Sequence, residues 1–394
     1  MMRMRLSYRV RTSRCLVLLF GVLILSAAGS ALAAESVRIG LTLGLTGKYA
    51  LLALMQQRAY QLWQRDINAT GGLLGRDVEM VIIDDESKPA KAAKLYKQLI
   101  EKDRVDLLFG PYSSGITTVV MPIVEKARYP MLTAGASSDK LWQQGYKNIF
   151  GVHAPASRYT LGMLNLAVIH DLTTVAIVYA DDAFSISAAE GARKWGSRLG
   201  LNIVMFEKFK KGRRDLTYLA EKAKLSKPAL VMAVGHFDES VDMRRALKKV
   251  DWYPRAYFAT VGPVLQEYKT TLGAVSDLTF VNVIWEPRAK FPKSRTFLAS
   301  FRAVYGVDDP SYQAAGAYAV GQILEAAVDL AKSLDRPKIR QALSKLETYT
   351  IIGRYKVDST GIQIKHFPLT MQWRNGKKEI VWPEEMQTGK PVFK

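Results

Sequence analysis

The amino-acid sequence predicts an α/β protein built as two lobes, each a parallel β-sheet with helices on both faces. Three observations predict it. Short, strongly apolar runs alternate with amphipathic segments of helical spacing, the pattern of parallel strands joined by crossover helices. The alternation runs twice, each series covering about 120 residues, with a linking stretch between them. The 361 residues that follow the first 33 are also too many for one small core and suit two domains.

The chain opens with Arg3, Arg5, Arg9, Arg11 and Arg14, an apolar run from Cys15 to Leu25, and small residues ending in Ala31-Leu32-Ala33. A basic head, a short apolar middle and an A-x-A site make a secretory signal peptide, cut after Ala33. The apolar run falls short of the roughly 20 residues of a membrane span. Cys15 is the chain's one cysteine, and its loss with this segment leaves no disulfide, thiolate or cysteine metal chemistry.

Residues 37–43 (VRIGLTL) form the first expected strand. Leu52, Met55, Ala59, Leu62, Trp63 and Ile67 then recur at spacings of three or four, one face of a helix. That helix stops at Gly71-Gly72. Strands at 78–84, 105–110 and 129–135 and helices at 88–103 and 117–127 complete the first series. In the second, strands at 173–180, 202–209, 228–235, 256–262 and 277–285 alternate with helices at 186–200, 216–225 and 241–250. The tail breaks the rhythm. Residues 294–306 and 311–334 are helices with no strand between them, and 349–361 and 367–383 are short strands, the latter turning at Asn375-Gly376.

A hydrophobic content of 48% indicates an ordinary globular interior. Net charge is +20, falling to +15 without the five leader arginines, which no acid accompanies. The remaining Lys and Arg are scattered among acids, and the densest run, 208–214, leads straight into Asp215. That is a solvated basic surface, not a nucleic-acid footprint, although it would suit a membrane surface or an acidic partner.

In open parallel sheets, ligands sit beyond the carboxyl ends of the strands. The loops there are LGLTGKYA (43–50, with Tyr49), FGPYSSG (109–115), TAGASSDKL (133–141), YADDAFSIS (179–187), VGHFDES (234–240) and ATVGPV (259–264). Ser113-Ser114 and Ser137-Ser138 each offer hydroxyls with unpaired N–H groups, either as simple helix caps or as a cradle for a carboxylate. Asp181-Asp182 has no third acid or histidine beside it and reads as a pair of caps. His236 reads as a ligand contact or an ordinary loop histidine. No dinucleotide, Walker, nucleophile-elbow or zinc motif occurs. An enzyme, for instance an amidase, is therefore the weaker reading, and neither metal nor cofactor is expected.

The succession VRIGLTLGLTGKYA, DINATGGLLGR, VIIDDESKPAKA, LLFGPYSSGITTVVMPIVE and YPMLTAGASSD resembles the periplasmic leucine/isoleucine/valine-type substrate-binding proteins of ABC importers. The likeness continues through ATVGPVLQEY to GKKEIVWPEE. It implies the type I periplasmic binding fold, with two Rossmann-like lobes joined by a three-segment hinge. Residues 34–154 plus 288–350 would form one lobe, and 155–287 plus 351–394 the other. It further implies a periplasmic monomer that delivers a small carboxylate to an inner-membrane permease. A receptor that feeds a sensor or regulator is the alternative.

Carried over by position, Ser114, with Ser113 beside it, matches the serine that holds the ligand carboxylate. Gly135, Ala136 and Ser137 match the second carboxylate loop. Phe184 stands where the family often has a tyrosine, and His236 at or beside another aromatic contact. Amino-acid-binding members carry an acid for the ligand ammonium where this chain has Val261. Either Asp238 or Glu286 takes that role, or the ligand is an aromatic or aliphatic acid or amide.

Overall fold

The computed structural model describes residues 35–394, so the expected leader and its cleavage point lie outside the described residues. The chain begins β1 (Val37–Leu43), α1 (Ala50–Ala69), β2 (Val78–Asp84), α2 (Pro89–Glu101), β3 (Leu107–Phe109), α3 (Ser114–Lys126), β4 (Met131–Thr133) and β5 (Ile149–Gly151). These strands form one parallel sheet in the order β2-β1-β3-β4-β5. Its inner strand β1 is buried along nearly its whole length, whereas the edge strand β2 is half-exposed, as position in a sheet dictates.

The second series follows as α4 (Leu161–Ile169), β6 (Thr174–Ala180), α5 (Ala183–Arg198), β7 (Asn202–Phe209), α6 (Thr217–Ser226) and β8 (Leu230–Val234). It continues with α7 (Phe237–Lys249), β9 (Ala256–Ala259), α8 (Gln266–Leu272) and β10 (Thr279–Val283). The tail is α9 (Ser294–Tyr305), α10 (Tyr312–Ala331), α11 (Arg336–Lys345), β11 (Glu347–Thr350), β12 (Gly353–Lys356), β13 (Leu369–Arg374) and β14 (Lys377–Trp382).

Sequence order and sheet membership part company in the tail. The helix α10 returns to pack along α1, where the Trp63 indole donates to the Glu325 carboxylate. The hairpin β13–β14 adds instead to the second sheet, in the order β14-β13-β10-β9-β8-β6-β7, with the two added strands antiparallel. Its turn has positive φ at both Asn375 (50°) and Gly376 (78°), the geometry of a two-residue hairpin loop.

The chain therefore passes between the sheets three times: after β5, after β10 and before β13. The third passage falls later than residue 350. Gly361 O accepts from Gly151 N (2.8 Å) and Gln363 Nε2 donates to Val152 O (3.3 Å), which holds this stretch against the first sheet. One imidazole joins all three passages. His366 Nδ1 accepts from Ala154 N at 3.2 Å, so its proton sits on Nε2, which donates to Ile284 O at 3.1 Å. Both bonds are buried.

Candidate functional site

Strand β3 delivers the chain to Gly110-Pro111, and α3 starts at Ser114 with Ser113 as its cap; the Ser113 hydroxyl accepts from Ile116 N at 3.3 Å. Ser113 adopts φ 86°, ψ 140°, a backbone conformation that is strained for a residue with a Cβ. The neighbouring loop after β4 locks against it, with Ser113 N donating to Gly135 O at 2.8 Å. Only glycine fits at 135, because a Cβ there would lie 2.6 Å from Pro111 O and 2.7 Å from Tyr112 Cα.

The two serine loops meet, but not as two sets of free donors. Ser114 Oγ accepts from Ser137 N (3.2 Å) and Ser138 N (3.0 Å), so these amides are already satisfied. This corrects the expectation of unpaired N–H groups on both loops. The physical consequence is specific. With two amides donating to its oxygen, the Ser114 hydroxyl keeps its own proton to give to an acceptor.

Ser113, Ser114, Gly135 and Ser137 line one side of a small cavity, and Phe184, His236 and Val261 line it from the second lobe. Tyr112, His153, Tyr159 and Tyr312 complete most of the wall. The cavity holds about 20 Å³, room for little more than a water molecule. Buried polar atoms around it stay unbonded: both ring nitrogens of His236, His153 Nε2 and Ser138 Oγ. Burial, the first cause in each case, raises the phenols of Tyr112, Tyr159 and Tyr312 above their ordinary range and keeps them neutral.

The lobes touch around this cavity. The Tyr49 ring lies 5.2 Å from both the Tyr112 and the His236 rings. Lys211 Nζ donates to Tyr49 OH at 2.9 Å and lies 3.2 Å from Asp182 Oδ2. Asp182 caps α5, accepting from Phe184 N (3.1 Å), Ser185 N (3.2 Å) and Ser185 Oγ (2.8 Å), with His236 Nε2 3.6 Å away. Burial pushes the Asp182 carboxyl up, but His236, Lys211 and Ser185 outweigh it and hold it far below the usual carboxylate range. Burial likewise lowers the Lys211 ammonium, which Asp182 and then Tyr49 bring back above its ordinary value. Elsewhere at the lobe boundary, Ser187 Oγ donates to Asp139 Oδ2 at 2.8 Å.

Two sequence candidates lie away from the cavity. Asp238 is a half-exposed partner of Arg214 (3.1 Å). Glu286 is buried against Arg288 (2.7 Å), beside a separate surface pocket. Neither lines the cavity between the lobes, so neither stands there in place of the acid missing at Val261. Ala136 is buried next to the cavity without lining it. Sequence reasoning missed His153, Tyr159, Tyr312 and the Lys211–Asp182 pair. Tyr112 and Asp182 stood inside quoted loops, but nothing local marked Tyr312, at the start of a helix about 200 residues beyond Tyr112. Among the described residues, no group of three or more His, Asp or Glu side chains is arranged to hold a metal ion.

Two α/β lobes joined by three passages and closed on a cavity at the strands' carboxyl ends define the type I periplasmic binding fold. The profile of the periplasmic binding protein family matches residues 36–378, and the chain belongs to that family. A Leu/Ile/Val-binding protein homologue of Brucella suis biovar 1 is 23% identical over 383 residues, covering 91% of this chain and 94% of its own. Among solved structures, a leucine-binding protein of Thermotoga maritima superposes with a TM-score of 0.80 at 21% identity, covering 87% of this chain and 97% of its own. A solute-binding protein of an R. palustris ABC transporter, solved in complex with benzoate, gives a TM-score of 0.77 at 19% identity, covering 91% and 97%.

Proposed function

We propose that this chain is the solute-capturing component of an ABC importer, and that its solute is a small carboxylate whose remainder is apolar and uncharged. The observation that carries the reading is the Ser114 hydroxyl, held by two amides with its proton left over, in a cavity between two lobes. Such a donor suits a carboxylate oxygen. The rest of the wall is mostly aromatic, with Ala134 and Val261, and none of its residues is acidic. Asp182, which lies 3.6 Å from the lining residue His236, has its acceptor positions filled by Phe184 N, Ser185 and Lys211. An α-ammonium would be buried there without a partner, which is costly.

The protein works by capture and release. The open lobes admit the solute, closure about the three passages desolvates it, and the closed form docks on an inner-membrane permease. We take it to act in the periplasm as a monomer, with one lobe ending at the first passage and resuming after the second, from 288 to about 364. A branched-chain amino acid is the second reading, favoured by what the Brucella and Thermotoga relatives are named for. Delivery to a sensor or regulator would use the same capture step.

Matched pairs test the reading: 3-phenylpropionate against phenylalanine, and 4-methylpentanoate against leucine, by thermal shift and calorimetry. A solute bound only by the folded state raises the melting temperature by mass action. The deaminated member of a pair should raise it and the amino acid should not. The reverse order would assign an ammonium site, and no shift with either type would remove the carboxylate assignment.

A further inference from the structure

We propose a second ligand site, on the far end of the second lobe, in which Arg244 holds the anionic group of a small amphiphile. The site lies where α7 runs into β9 and where residues 274–278 run into β10, at the amino ends of these strands. The interlobe cavity lies at their carboxyl ends, where Val261 follows β9. The two sites therefore sit at opposite ends of one sheet.

Arg244 is only 7% exposed, yet it is not paired. Its guanidinium carbon lies 3.9 Å from the Tyr253 ring centroid and 5.5 Å from that of Tyr257. Its Nε–H has no hydrogen-bond partner. Among the described residues, no carboxylate oxygen comes within 4.0 Å of the guanidinium. The chain's other arginines beside buried acids show the usual arrangement: Arg214 binds Asp238 and Asp242, and Arg288 binds Glu286 and Glu379. A buried cation without an anion is costly, and aromatic faces offset only part of that cost.

Arg244 lines a cavity of about 400 Å³, within the usual range for small-molecule sites. Trp252, Tyr253 and Leu278 give it apolar walls, and Lys248 and Lys394 add positive charge. Asp251 and Asp277 also line it, but Asp277 is engaged by Lys269 at 3.6 Å. A planar guanidinium edge takes an oxyanion through two parallel N–H bonds. The aromatic and aliphatic wall then covers an apolar body. That combination selects an organic anion over a bare inorganic one.

The test titrates the full chain with 8-anilinonaphthalene-1-sulfonate, an amphiphilic anion whose fluorescence reports burial. The expected result is one saturable site, weakened about tenfold or more by Arg244→Met, less by Arg244→Lys, and unchanged by Ser114→Ala. Decanoate should displace the dye and inorganic phosphate should not. Without any ligand, Arg244→Met should melt at the wild-type temperature or above it, because it removes an unpaired buried charge. Dye affinity that ignores Arg244, displacement by phosphate as strong as by decanoate, or a melting temperature that drops in Arg244→Met would each overturn the site. The last outcome would make Arg244 a structural support for Tyr253 and Tyr257.

Discussion

Acid should loosen the junction that His366 makes between the three passages, and the structure sets the size of the effect. The His366 pKa is pushed down to about 4 and that of His153 to about 3. Burial is the first cause for both; the charge of His366 lowers His153 further, while the bond to Ile284 O raises His366. In the unfolded chain each titrates near 6.5. Between these values the unfolded chain binds more protons than the folded one, so stability is complete above 6.5 and declines as pH falls. Taking the pH from about 7.5 to about 5 should cost about 2 kcal/mol per histidine, about 4 kcal/mol for the two. Asp242 works in the opposite sense. Burial lifts its carboxyl to about 6 against Arg214, so it takes up a proton in the folded state over the same range. A variant isolates the histidine part. In His366→Gln, an amide can accept from Ala154 N and donate to Ile284 O without titrating, and Asp242 is common to both proteins. Urea unfolding at the two pH values should show an acid loss smaller by about 2 kcal/mol in the variant. Equal acid losses in variant and wild type would refute the assignment of a neutral, bonded His366.

Ser114→Ala should weaken a carboxylate solute by about 1–3 kcal/mol, since it removes the donor and strands the Ser137 and Ser138 amides; unchanged affinity by calorimetry would dismiss the hydroxyl as the carboxylate contact. Lys211→Met should free an acceptor face of Asp182 and shift the preference between leucine and 4-methylpentanoate toward the amino acid. A constant ratio would show that the Lys211–Asp182 pair is not what turns an ammonium away. Gly135→Ala should destabilise by about 1–3 kcal/mol because its Cβ meets Pro111 and Tyr112 backbone, whereas Gly115→Ala, with nothing within 4 Å, should be nearly neutral in the same melts.

The alternation of apolar and helical segments made both sheets legible, because strand burial and crossover helices each leave a period in the sequence. The serine loops were legible for the same reason: they follow β3 and β4, where a parallel sheet opens. What their hydroxyls do was not. That Ser114 Oγ receives the amides of Ser137 and Ser138 depends on how close the loops pass, which Gly135 permits and no spacing reports. Long-range partners were also hidden. Lys211 sat in a basic run and read as solvated, yet it reaches 162 residues back to Tyr49. Asp238 and Glu286 had the right charge, but each found an arginine nearer than the cavity.

Strain on the two walls bears on how a solute gets in. Ser113 in the first lobe and Val261 in the second both line the cavity with positive φ, at 86° and 55°, and neither is glycine. Such conformations cost about 1–3 kcal/mol each and persist only where the surroundings over-determine them. Ser113 is fixed by Gly135 O, Ile116 N and Thr117 N. The turn at Val261 is fixed by Thr260, whose hydroxyl donates to Gly235 O (2.7 Å) and accepts from Gly235 N (2.9 Å), while Ser240 Oγ donates to Thr260 O (2.8 Å). Folding bears the cost of shaping both loops, so binding need not order them again. Loops held this firmly are poorly placed to yield, and a cavity of about 20 Å³ admits no organic acid as it stands. Room for the solute must then come from separating the lobes, which breaks the Lys211–Tyr49 and Ser187–Asp139 contacts while His366 keeps the three passages together.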